Sequence, residues 1–187
     1  MAKLFSIRPS ITFKGRAFKG LRGWAGKPLH PPLTDIPVAA YFLVALFDLV
    51  SLLLGPDSAT GHDLYAGASW LLLAGFVVSI PTALTGFWDW LKSTAPRTQA
   101  WRTANWHMAV MLTVTAIVFV ELLIRPSGAA ATATGLVTIL SLVAGGLVSF
   151  GATYGGSLVY DYGFNVETSG DHPVWHESEE DVLPGGH

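Results

Sequence analysis

Four long apolar blocks, separated by short polar stretches, constrain this chain more than any other feature of its sequence. The first, IPVAAYFLVALFDLVSLLL, runs from Ile36 to Leu54 with Asp48 as its one acid. The second extends from about Leu64 to Trp90 and is interrupted by Pro81. The third, Asn105 to Ile124, carries Glu121 near its end, and the fourth, Ala131 to about Tyr154, is rich in small residues. A hydrocarbon core of about 30 Å takes roughly 20 helical residues, so each block is long enough to cross. The alternating ten-residue segments of a membrane β-barrel are not present. The sequence therefore predicts an all-α integral membrane protein, a four-transmembrane-helix bundle with spans at 36–54, 64–90, 105–124 and 131–154. Residues 30–164 form its membrane domain, between a basic flank at 1–29 and an acidic, mobile tail at 165–187.

Composition removes the other broad classes. Only 13% of the 187 residues are charged, against about 25% in an ordinary soluble domain, which leaves too little polarity to coat a water-soluble core. A disordered chain, a disulfide scaffold and a soluble α/β enzyme are excluded on the same ground. The chain has no cysteine, so thiolate catalysis, cysteine-ligated zinc and iron–sulfur clusters are excluded as well. A formal charge of −2 gives no electrostatic footprint for a nucleic-acid partner.

The distribution of lysine and arginine predicts the orientation. Seven precede the first span, three (Lys92, Arg97, Arg102) lie between the second and third, and only Arg125 lies on the opposite side. By the positive-inside rule both termini and the second loop are expected to be cytoplasmic. Within the basic flank, Ile11 to Trp24 interleaves aromatic with basic residues. Two readings stand open: a segment lying on the anionic inner leaflet, or a disordered flank that only enforces topology.

With that topology, four polar and aromatic clusters fall at one interface. They are His30-Pro31-Pro32-Leu33-Thr34-Asp35-Ile36-Pro37, Thr85-Gly86-Phe87-Trp88-Asp89-Trp90, Asn105-Trp106-His107, and Gly155-Gly156-Ser157-Leu158-Val159-Tyr160-Asp161-Tyr162-Gly163. In this order the four runs resemble the bacterial membrane family named domain of unknown function 2231, over roughly Lys27 to Val166. The resemblance implies a multi-pass protein of the bacterial cytoplasmic (inner) membrane. Relatives are often joined to a Rieske iron–sulfur domain, which implies a connection to membrane redox chemistry. This chain lacks the cysteine ligands of such a centre, so a Rieske partner would have to be a separate protein.

Each polar group has a functional and a structural reading. His30 and His107 sit at the same interface on different spans, where neutral imidazoles can ligate a b-type haem. Alternatively, His30 caps the entry turn and His107 bonds to an acid or a carbonyl. His30, ahead of two prolines, is expected outside the helix proper. A haem held there is expected among Trp88, Trp106 and Tyr160. Asp48 lies about 18 Å into its span by helical rise, and is expected to face the bundle interior as a hydrogen-bonded clamp to Ser51, Thr113 or Ser141, or as a proton or quinone contact. Asp35 and Asp89 are expected to pair with Lys92, Arg97 and Arg102. Glu121 and Arg125, four apart, are expected to pair with each other. Asn105, Trp106 and Tyr160 join Asp35, Asp48 and Asp89 in the expected structural set, with Trp88, Trp90 and Trp101 completing an aromatic belt. Gly145, Gly151 and Gly155 are expected to let another helix approach, within the bundle or in a homo-oligomer.

No nucleophile–base pair, phosphate loop or complete metal-ligand set is present, so a non-catalytic protein is expected. The functional expectation is an accessory or electron-transfer-associated subunit of a membrane redox or respiratory assembly, in contact with lipid and a protein partner. The alternatives are a small transporter or channel-like protein, or a purely structural membrane subunit.

Overall fold

The structure, a computed structural model, describes residues 20–21, 28–128 and 130–166. The readings of Ile11 to Trp24 as interfacial, and of the tail as mobile, fall on residues outside these apart from Gly20, Leu21, Asn165 and Val166. Four helices make up the described chain: α1 (His30–Leu54), α2 (Ala59–Ser93), α3 (Gln99–Ile124) and α4 (Gly135–Tyr160). All four are long and apolar enough to cross a membrane. Every helix except α4 starts earlier than its apolar block, because local chemistry rather than hydrophobicity sets the ends. Ser58, Thr98 and Thr134 each accept a hydrogen bond from the backbone N–H three residues on, capping α2, α3 and α4.

At the start of α1 the order of residues matters. Pro31 and Pro32 stand in the first turn, where backbone N–H groups have no intrahelical partner to lose. The helix therefore begins at His30, and this histidine belongs to α1 rather than to the preceding loop. Pro37 lies inside the helix and leaves the Leu33 carbonyl without its usual donor. The Thr82 hydroxyl of α2 reaches it at 3.2 Å, sharing its one hydrogen with the Val78 carbonyl at 2.8 Å. The proline thus creates an acceptor that ties α1 to α2.

The helices run up and down in sequence order. α1 packs closely on α2 and α4, and α3 on α4, whereas α2 and α3 touch least. The end where α1 begins, α4 finishes and the α2–α3 turn lies is called here the near end. The core is formed by Tyr41, Val44, Leu72, Val114, Val118 and Val148 with alanines between them. The close packing of α4 rests on two glycines. A Cβ on Gly145 would stand 3.0 Å from the Ala45 Cβ of α1, and one on Gly151 would stand 2.9 Å from the Met111 Cε of α3. Gly145 and Gly151 therefore make close contacts inside the bundle, whereas Gly146 and Gly156 face open space.

Candidate functional site

The near half of the bundle encloses a cavity of about 370 Å³ to which all four helices contribute. His30 and His107 both line it, from α1 and α3, helices that stand diagonally across the bundle. His30 Nδ1 donates to the Thr82 carbonyl at 3.0 Å, and His107 Nδ1 donates to the Gly151 carbonyl at 2.9 Å. A carbonyl can only accept, so in both rings Nδ1 carries the hydrogen. In a neutral ring Nε2 then presents its lone pair, and among the described residues neither Nε2 takes part in a hydrogen bond. Two glycines seat these rings. A Cβ on Gly86 would fall 2.6 Å from His30 Cε1, and one on Gly155 would fall 3.3 Å from His107 Cε1.

The rest of the cavity wall is largely apolar. Tyr41, Phe87, Met108, Met111 and Leu112 contribute to it. Tyr41 and Ser79 share a 2.7 Å hydrogen bond between their hydroxyls, which satisfies both where they are buried. Leu84, Phe87 and Leu112 line the cavity yet are 66%, 49% and 52% exposed. The cavity therefore reaches the lipid-facing surface along the sparse α2–α3 seam.

The structure distributes the remaining sequence-predicted residues as follows. Asp89 lines the cavity and is buried, and its Oδ1 accepts the Leu21 backbone N–H at 3.0 Å rather than pairing with a described cation. Lys92, an expected partner, lies over the Trp88 ring at 5.1 Å. Asp35 is exposed. Asn105 accepts from Trp90 Nε1 at 2.8 Å, bridging α2 and α3. Trp88, Trp106 and Tyr160 are exposed at 43%, 63% and 87% and do not line the cavity; the aromatic residues that line it are Tyr41, Phe87, Trp90 and Phe164. Gly155 packs against the His107 ring of α3.

Asp48 is not in this site. It lies six residues before Leu54, the last residue of α1, about 9 Å from the far end of the helix by helical rise. Its carboxylate takes a two-pronged grip from Arg125, with Nη1 on Oδ2 at 2.8 Å and Nη2 on Oδ1. Ser141 also bonds to it, while Ser51, a second expected partner, bonds instead to the Gly61 carbonyl and the Ala133 N–H. Thr113 turns back onto its own helix, on the Ala109 carbonyl. Arg125 does reach Glu121 as its spacing predicts, and in addition holds Ser69 and covers the Tyr65 ring.

Thr82, Met108 and Met111 have no role in the sequence reading, and Gly86 enters it only as a member of the cluster that closes the second span. Pro37 was the available signal for Thr82, since an internal proline frees a carbonyl that must find a donor.

A family model described as "Predicted membrane protein (DUF2231)" matches residues 26–168, most of the chain and all four helices. The chain belongs to this family. No curated protein and no solved structure matched it. The DUF2231 region takes in both histidines, both seating glycines and the whole cavity wall.

Proposed function

We propose that this membrane protein is a non-catalytic, electron-transfer-associated subunit of a membrane redox assembly, holding a b-type haem through His30 and His107. The observation that carries the proposal is the pair of imidazoles lining one cavity, each fixed by an Nδ1–H bond to a backbone carbonyl with Nε2 left over. That arrangement sets the tautomer and raises the basicity of a metal-ligating histidine. The donor set is chemically apt, since two neutral imidazoles suit haem iron. A bound haem would supply one-electron transfer. The chain's own part is to orient the ligands, to surround the site with apolar side chains and to exclude water. Thr82 and Gly151 orient the rings through their carbonyls, and Gly86 and Gly155 give the rings room.

A transport role finds less support. Asp48, the acid such a path would use, is held by Arg125 and Ser141 at the far side of the core. The weight of lysine and arginine at the near end supports a cytoplasmic location for that end in a bacterial inner membrane.

The test is an oxidised-against-reduced visible spectrum of the full chain extracted in mild detergent. A b-type absorption that shifts on reduction is expected, and His30→Ala or His107→Ala should abolish or displace it. A spectrum identical in both variants and the unsubstituted chain would remove these residues as ligands.

A further inference from the structure

The polar cluster away from the cavity contains an imbalance that the haem reading does not use. Asp48 from α1, Glu121 from α3 and the following Arg125 lie together with Ser141 from α4, and both acids are fully buried. α2 adds Ser69, which accepts from Arg125 Nε at 2.9 Å, and Tyr65, whose ring lies under the guanidinium and whose hydroxyl donates to the Pro126 carbonyl. Tyr41 of α1 turns its hydroxyl away, to Ser79. The cluster therefore holds two carboxyl groups against one cation.

Counting hydrogens identifies where the imbalance sits. The Ser141 hydroxyl has a single hydrogen, yet its oxygen stands within bonding distance of Asp48 Oδ2, of Glu121 Oε1 at 3.0 Å and of the Val137 carbonyl at 2.9 Å. With both acids ionised, at least one carboxylate oxygen would face a serine lone pair. Glu121 Oε2 is also buried with no partner at all, a severe penalty for an anionic oxygen and a mild one for the carbonyl of a neutral acid. Glu121 takes a single N–H of Arg125, Nη1 on Oε1, whereas Asp48 takes both Nη1 and Nη2 on its two oxygens and is the ionised member.

We infer that Glu121 is a proton-binding site. Its Oε1–H donates to Ser141 Oγ, whose own hydrogen goes to Asp48 Oδ2, and the cluster then has no net charge. One proton thus links three helices, and its release would leave two buried anions on one guanidinium.

Infrared spectroscopy of the full chain in detergent, at neutral pH, reads this directly. A protonated carboxylic C=O band is expected, and carbon-13 labelling of glutamate should shift it, which separates Glu121 from the buried Asp89. Glu121→Gln should remove the band. Asp48→Asn should remove it too, because a single carboxyl facing Arg125 ionises, whereas Asp89→Asn should leave it in place. Absence of a glutamate-shifted band in the unsubstituted chain would overturn the inference, as would its survival in either Glu121→Gln or Asp48→Asn. Because the band requires no haem, its loss would leave the histidine proposal standing, and the reverse holds equally.

Discussion

Arg125 stands one residue beyond the end of α3, yet its side chain is buried. Its five N–H donors are what a cluster of carboxylates and hydroxyls demands, and the Tyr65 ring closes over it. Removing a partner from such a group leaves uncompensated buried charge. Arg125→Leu should therefore cost about 3–5 kcal/mol of stability, and Asp48→Asn far less, since Glu121 then supplies the counter-charge. Unfolding in detergent by denaturant titration should rank the two in that order. The Asp48–Arg125 contact could not be read from the sequence. The residues lie 77 apart, and the i, i+4 partner Glu121 already accounted for the arginine. At the near end, Gly86→Ala is the sharpest single test of ring placement. Its new Cβ would meet His30 at 2.6 Å, so the ring must move, and the ligand-dependent absorption should shift or weaken while helix content stays constant by circular dichroism.

At the scale of helices, the four spans were legible because length and hydrophobicity suffice to define a crossing segment. Their ends and rotations were not. Prolines at the start of α1 read as a helix boundary but occupy the one turn that tolerates them. Rotation about the axis was hidden because these helices are apolar on the lipid face as well as the core face. Trp106 and Tyr160 could be placed at a depth but not on a side, and the structure turns both outward. The glycines were legible as small but not as to what they approach. Because Gly145 lies 3.0 Å (as a virtual Cβ) from the Ala45 Cβ, Gly145→Leu should force α1 and α4 apart. The expected cost is about 1–3 kcal/mol, measured as a lower midpoint for thermal unfolding in detergent.

Across the whole molecule the two halves of the bundle do different things. The far half is locked by Arg125 and its partners, while the near half opens a cavity between α2 and α3 and turns two histidines into it. Both histidines were legible as a pair, since the alternating direction of four spans brings His30 and His107 to one end. That each Nδ1 is committed to a carbonyl was not legible, because the acceptors Thr82 and Gly151 lie 52 and 44 residues away. Topology is tested at this scale. A reporter fused after His187 should be cytoplasmic and one in the Gly55–His62 loop external, and a swap of the two would put the cavity on the opposite side of the membrane. The central claim is best tested by the ratio of haem to chain. A pyridine haemochrome assay on the full chain, purified gently from membranes supplied with haem, should give one b-type haem per chain, falling to none when His30 and His107 are both replaced by alanine. A colourless native protein, or a doubly substituted chain that keeps its full haem complement, would contradict the account.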